Sequence, residues 1–109
     1  GQLFVIRGMV TNNYPKNRSF ILLKGSIIDD KGAVAKTKLA YAGNTYPDDK
    51  IQGMTLEEID KGLKNQLGNK GVNRNIKPGG GIPFMIILEN LPENLTEFTV
   101  EAVSSSPGQ

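Results

Sequence analysis

Five segments of the chain are rich in apolar and β-branched residues, and turn-forming residues bound each segment. Apolar and polar positions alternate most clearly in the last segment. Alternation with a period of two, rich in β-branched and aromatic residues, is typical of strands. Gly8 lies inside the first segment, and a glycine there predicts a β-bulge. The sequence therefore predicts strands at residues 3–11, 18–28, 33–42, 82–89 and 97–103.

The pattern changes to a helical period between the third and fourth strands, after a predicted polar loop at residues 43–53. Thr55 and Glu58 have the spacing of a capping box, in which each side chain bonds the other's backbone amide. The helix is predicted at residues 55–67, where Gly62 indicates close packing or an early stop and Gly68 ends the helix. Its apolar stripe follows at spacings of three and four residues: Leu56, Ile59, Leu63 and Leu67.

Two of the strands are apolar on both faces, which requires a cover on each side of their sheet. In the fourth strand, Phe84 and Ile86 face one way, whereas Met85 and Ile87 face the other. The amphipathic helix is the favoured cover, and a dimer or a partner protein is the alternative. These patterns predict a mostly β fold, a β-sandwich with one short inserted α-helix, forming a single domain over residues 1–109 with a frayed tail at 104–109.

Composition narrows the possible chemistry, because the chain contains neither cysteine nor histidine. Thiolate metal sites and cysteine nucleophiles are excluded, and the commonest general base is missing. We therefore predict no enzyme activity, no catalytic residues, no metal and no cofactor; the binding residues are unknown. The net charge is only +2 and the basic residues are scattered, so no nucleic-acid partner is expected. Among these scattered cations are Lys16, Arg18, Lys36, Lys38, Lys61 and Lys64.

Several short motifs have simple structural explanations. The pairs Asp29-Asp30 and Asp48-Asp49 lack the calcium-loop pattern and are expected to form turns. Glu57 and Glu58 lie where helix capping already explains acidic residues. Gly79-Gly80-Gly81 is followed by a strand, so it is not a phosphate loop. Tyr14 and Tyr46 lie in loops and are candidate ligand contacts, and Asn94-Leu95-Thr96 matches a glycosylation acceptor, a frequent accidental match.

The order of turns and strands resembles an uncharacterised bacterial domain family. The resemblance covers about residues 4 to 106. In that family an N-terminal zinc ribbon and a single membrane span precede an extracytoplasmic immunoglobulin-like sandwich, and FxLYD-type domains share some landmarks. The residues that carry the resemblance are Gly8-Met9-Val10-Thr11-Asn12, Asp30-Lys31-Gly32, Ile76-Lys77-Pro78-Gly79, Ile82-Pro83-Phe84, Leu91-Pro92 and Phe98-Thr99-Val100.

The resemblance implies a domain at the periplasmic face of the inner membrane, within a larger membrane-tethered protein. No apolar run here approaches the ~20 residues that span a bilayer, and the chain begins at Gly1, so an excised segment is expected. The favoured function is a non-catalytic interaction or scaffolding domain with a protein partner of unknown identity. The alternatives are a small-ligand sensor, with a pocket beneath the helix and the Gly-rich residues 68–81, and hydrolysis by two carboxylates. The oligomeric state is left open.

Overall fold

The computed structural model describes residues 2–109. Five strands dominate it, and two short helices and a 3₁₀ turn connect the third strand to the fourth. In chain order the elements are β1 (Leu3–Thr11), β2 (Arg18–Asp29), β3 (Val34–Tyr41), α1 (Asp48–Gln52), α2 (Leu56–Leu63), the 3₁₀ turn (Asn69–Gly71), β4 (Gly81–Glu89) and β5 (Leu95–Pro107).

The strands form two antiparallel sheets. One sheet contains β1 and β4, and the other has the strand order β3-β2-β5. Apolar residues from both sheets share one buried cluster, as in a sandwich. The predicted fold class, a mostly β sandwich, is confirmed, with two short helices inserted instead of one. Among the described residues, no helix has the length and apolar character needed to cross a membrane.

Two glycines allow the inner faces of the sheets to approach closely. A Cβ at Gly25 would lie 3.1 Å from a methyl group of Ile86, which points from one sheet towards the other. Gly8 pairs directly with Phe84, and a Cβ there would lie 2.7 Å from the phenyl ring. The register of β1 with β4 is unbroken through Gly8, so the predicted bulge is wrong. The glycine instead makes room for the aromatic ring across the strand pair.

The outer face of the β1–β4 sheet is covered, as the apolar pattern of β4 requires. Met85 and Ile87 are 0% and 3% exposed, and they share the buried cluster with Ile59 and Leu63 of α2. The predicted helical cover is therefore confirmed. The capping box is also present, because Thr55 Oγ1 accepts from the Glu58 amide at 3.1 Å. The Glu58 carboxylate accepts from the Thr55 amide at 3.0 Å.

The helical region differs from the prediction in two places, the end of α2 and the loop before it. α2 ends at Leu63 rather than at residue 67, and Leu67 is 43% exposed. Gly62 marks close packing, since a Cβ there would lie 1.9 Å from the hydroxyl of Tyr46. The predicted polar loop at 43–53 contains α1, which begins after Pro47 with two acidic residues in its first turn. Acidic side chains at a helix N-terminus interact favourably with the helix dipole and stabilise the helix. This accounts for a helix in so polar a segment.

The predicted frayed tail at 104–109 is also wrong, because β5 continues to Pro107. Ser106 and Pro107 pair with Ser19 and Arg18 at the start of β2. The amide of Gly108 donates to the carbonyl of Asn17 at 2.9 Å. The residues after Val103 are polar and do not alternate with apolar ones, so the sequence gives no sign of a strand there. Pairing with β2 holds them in the sheet.

Candidate functional site

One side of the sandwich is open. Within residues 2–109, β1 pairs only with β4 and β5 pairs only with β2, so each strand has one edge without a strand partner. We call the surface between these two unpaired edges the open side. The rings of Phe4 in β1 and Phe98 in β5 meet there edge to face, with centroids 5.7 Å apart. Phe98 is 48% exposed and Val103 is 43% exposed, so the open side presents apolar side chains to solvent.

The pairing of β2 with β5 is interrupted at one end of the open side. The register shifts between Ser19 and Leu22, and Phe20 has a φ of +58°, which is rare for a bulky residue. Asn73 takes the place of a strand partner at this point. Its carbonyl accepts from the Phe20 amide at 2.8 Å, and its side chain accepts from the Ile21 amide at 3.0 Å. The Asn73 side chain is fully buried, so a residue of the core stabilises the interrupted part of β2.

The interruption changes which side chains share a surface. In a regular strand, residues 18 and 21 would point to opposite faces of the sheet. Here Arg18 and Ile21 line the same cavity of about 260 Å³, between the end of β1 and the last part of β5. We call this cavity the Arg18 cleft. Its apolar wall is formed by Val10, Ile21, Ala102 and Val103.

The guanidinium of Arg18 is fixed by two neighbours. It stacks over the ring of Tyr14, with the guanidinium carbon 4.3 Å from the ring centroid. Nε donates to Ser105 Oγ at 2.9 Å, and Nη2 donates to the Ser105 carbonyl at 2.9 Å. No acidic residue lines the cleft, and in the described part of the chain no carboxylate lies within 4 Å of Arg18. The cleft therefore holds one positioned positive charge without an ionic partner.

The loop before β2 positions the aromatic neighbour. Asn12 is 2% exposed, and its side chain donates to the carbonyls of Lys16 at 2.9 Å and Ile76 at 2.8 Å. The side-chain oxygen of Asn12, Oδ1, accepts from the Tyr14 amide at 2.8 Å. This buried amide fixes the backbone that carries Tyr14 against Arg18. Tyr14, a candidate ligand contact from the sequence, thus lies in the cleft.

The predicted turn is confirmed for Asp29-Asp30 but is wrong for Asp48-Asp49, which begin α1. Asp29 accepts from the amides of Lys31 and Ala33, both at 2.9 Å, and closes the β2–β3 hairpin. Asp48 pairs with Arg7 at 2.7 Å. Within residues 2–109, no three acidic, cysteine or histidine residues are close enough together to hold a metal ion.

The other candidates from the sequence also have structural roles. The capping hydrogen bonds from the Thr55 backbone and side chain lower the pKa of the exposed Glu58 carboxyl, with only a slight opposing effect of desolvation. The hydroxyl of Tyr46, the other loop tyrosine, lies against Gly62 rather than in a cavity. The triple glycine enters β4 directly, and Asn94 donates to Asp30 at 3.0 Å.

The Arg18 cleft does not coincide with the pocket that was expected beneath α2 and the Gly-rich segment. Ile59, Leu63 and Met85 are each at most 1% exposed and fill the space between the helix and the sheet. The Arg18 cleft lies instead between β1, β2 and β5. Sequence reasoning treated Arg18 as one of several scattered cations. Its neighbour Ser105 is 87 residues away in the chain, so no local motif could have identified the site.

Comparison with known proteins gives one family match. A family model described as a protein of unknown function, DUF3426, matches residues 1–102. Neither a curated protein nor a solved structure matches the chain.

Proposed function

We propose that this chain, which belongs to the DUF3426 family, is a non-catalytic interaction or scaffolding domain of a membrane-tethered bacterial protein. In this proposal a zinc ribbon and one membrane span precede the domain, which lies at the periplasmic face of the inner membrane. A relationship to FxLYD-type sandwiches is part of the same proposal. The resemblance of the turn and strand landmarks supports the topology, and the open side supports the interaction function.

The unpaired edge of β5 is the observation that carries the interaction function. This strand is 13 residues long, and its free edge offers backbone donors and acceptors to an added strand. The exposed side chains of Phe98 and Val103 add apolar contact area along the same strand. Two features limit nonspecific pairing at this edge: the exposed charges of Glu97 and Glu101, and the register shifts of β5 against β2. The edge is therefore suited to a selected partner.

The residue types and their contacts support a non-catalytic domain. The chain lacks histidine and cysteine, and no buried side-chain nitrogen or oxygen in the described residues is without a hydrogen-bond partner. Enzymes commonly place perturbed titratable groups in a cleft. The paired carboxylates here lie in turns and helix caps instead, and no carboxylate lines the Arg18 cleft.

Membrane topology is tested with a single introduced cysteine, because this domain has none of its own. Lys61→Cys on the exposed face of α2 is placed in the full-length protein. A membrane-impermeant maleimide should label this variant in intact spheroplasts. The parent protein should remain unlabelled there, because the cysteines of the proposed zinc ribbon would lie on the cytoplasmic side of the membrane. Labelling only after lysis would reject the periplasmic location.

Partner binding is tested by photo-cross-linking in the native cell envelope. A photoreactive phenylalanine analogue is placed at Thr99 on β5 and, as a matched control, at Thr37 on β3; both threonines are exposed. Thr99 should give a discrete adduct that Phe98→Glu removes, and Thr37 should give none. Identical adducts from both positions, or none from Thr99, would contradict an interaction through the open side.

A further inference from the structure

We propose that the Arg18 cleft binds a carboxylate group that carries a short apolar substituent. The carboxylate would pair with the guanidinium of Arg18, and the substituent would lie on the apolar wall of the cleft. This inference goes beyond the interaction function and does not depend on strand addition at β5. It follows from the charge, the positioning and the size of the cleft.

Two strand arginines differ in their ionic neighbours. Arg7 is exposed, and Asp48 neutralises it at 2.7 Å. Arg18 is half-buried and has no carboxylate within 4 Å among residues 2–109. Partial burial of an unpaired cation costs free energy, which an anionic ligand would recover. The cleft contains no acid that would repel such a ligand.

The guanidinium plane of Arg18 is held in a fixed orientation. The ring of Tyr14 lies against it, and both hydrogen bonds to Ser105 leave from Nε and Nη2. Within the described residues Nη1 has no acceptor, so its two N–H groups remain for a ligand. A guanidinium held in this way loses little conformational entropy on binding and suits the planar carboxylate. The hydroxyl-bearing residues Thr11 and Ser104 also line the cleft.

The size of the cleft and its wall favour a small organic acid group over a larger or purely inorganic anion. A volume of about 260 Å³ is slightly below that of typical ligand pockets. Val10, Ile21, Ala102 and Val103 provide nothing for a phosphate oxygen to bond, but they suit a branched alkyl group. One ion pair and a small apolar contact predict a dissociation constant on the order of 1 mM.

Two sources share this chemistry, a free short-chain acid and the C-terminal residue of a peptide. The test uses isovalerate and its neutral amide, isovaleramide, an N-acetylated Ala-Val dipeptide and its C-terminal amide, and inorganic phosphate. Each is titrated into the isotope-labelled chain while NMR chemical shifts are measured. Isovalerate should shift the Arg18 Nε–H signal and the methyl signals of the apolar wall. The neutral isovaleramide and phosphate should leave these signals unchanged.

Three variants make the titration decisive. Arg18→Gln should weaken isovalerate binding at least about tenfold, the loss expected for a charged hydrogen-bonded pair. Because this change also removes bonds to Ser105, a second variant retains the arginine. Ala102→Phe fills the cleft from an exposed position and should weaken binding by a similar factor. Arg7→Gln, a strand arginine that does not line the cleft, is the matched control and should bind as the parent does.

The outcomes separate cleanly. Binding of isovalerate and the free dipeptide but not its amide supports the proposal and identifies a peptide C-terminus as one source. Binding of isovalerate alone supports it and identifies a free acid. Shifts confined to surface lysines, equal binding of isovaleramide, or unchanged binding in both Arg18→Gln and Ala102→Phe would overturn it. Failure of this test leaves the cross-links from Thr99 unaffected, since those report on β5.

Discussion

Replacing Ile59 by alanine tests whether α2 is a structural cover for the sheet. Ile59 is 1% exposed and lies in the buried cluster that also contains Met85 and Ile87 of β4. Truncation removes nearly fully buried methyl and methylene groups and leaves a cavity. The expected loss in the free energy of unfolding is about 3 kcal/mol, within the range for isoleucine-to-alanine changes in cores.

That loss is large compared with the stability of a domain of this size, about 5–15 kcal/mol. With a urea m-value of about 1.5 kcal/mol/M, the unfolding midpoint should fall by about 2 M. The melting temperature should fall by about 12 °C, at about 4 °C per kcal/mol. Because the chain has no tryptophan, far-UV circular dichroism is the appropriate probe of unfolding.

Leu56→Ala is the matched control, because Leu56 begins the same helix but is 39% exposed. It should cost less than about 1 kcal/mol, as most partly exposed substitutions do. Equal and small losses in Ile59→Ala and Leu56→Ala would refute the packing of α2 on the sheet. The m-value should be the same in both variants, so that the midpoint reports stability alone.

Three further changes test particular contacts. Gly62→Ala would place a methyl group 1.9 Å from the Tyr46 hydroxyl, so it should lose about 1–3 kcal/mol in urea unfolding despite alanine's better helix propensity. Adding Tyr46→Phe should restore part of that loss. Asn73→Ala leaves the amide of Ile21 without its acceptor and should cost about 2–3 kcal/mol by the same measurement. Glu58→Gln should make the free energy of unfolding fall less steeply as the pH is lowered. The pKa of the Glu58 carboxyl is lowered on folding, so its charged form stabilises the fold above pH 4.5. That stabilisation is lost as the pH falls through the lowered pKa.

A different result would contradict each of these three predictions. A stabilised Gly62→Ala would show that the Tyr46 ring moves away freely. An Asn73→Ala variant as stable as the exposed Asn94→Ala would show that the buried amide is not needed at the interruption of β2. Parallel stability curves of the parent and Glu58→Gln between pH 3 and pH 6 would exclude a contribution of the capping carboxylate in that window.

Much of the fold followed from local patterns. β1 has the bounds that its apolar and β-branched residues predict, and the double-sided apolar pattern of β4 correctly required a cover. The capping box between Thr55 and Glu58 was visible as a spacing of three residues. In each case the physical cause lies within a few residues of the chain, so sequence alone was sufficient.

The candidate site could not be predicted in this way. The Arg18 cleft depends on a break in strand pairing that Asn73 fills from a distant loop, and on Ser105 at the far end of β5. Gly8 was misread because a glycine in a strand serves equally as a bulge or as space for a ring, and only the position of Phe84 decides. Long-range pairing likewise ordered the polar residues after Val103.

Amide hydrogen exchange tests most directly whether the open side is the surface through which the domain works. Exchange is measured for the isolated domain and for the full-length protein purified together with its envelope partners. Protection should increase along β5 and around Arg18, while α1 and α2 exchange alike in both samples. Increased protection confined to the helices, with β5 unchanged, would contradict the account.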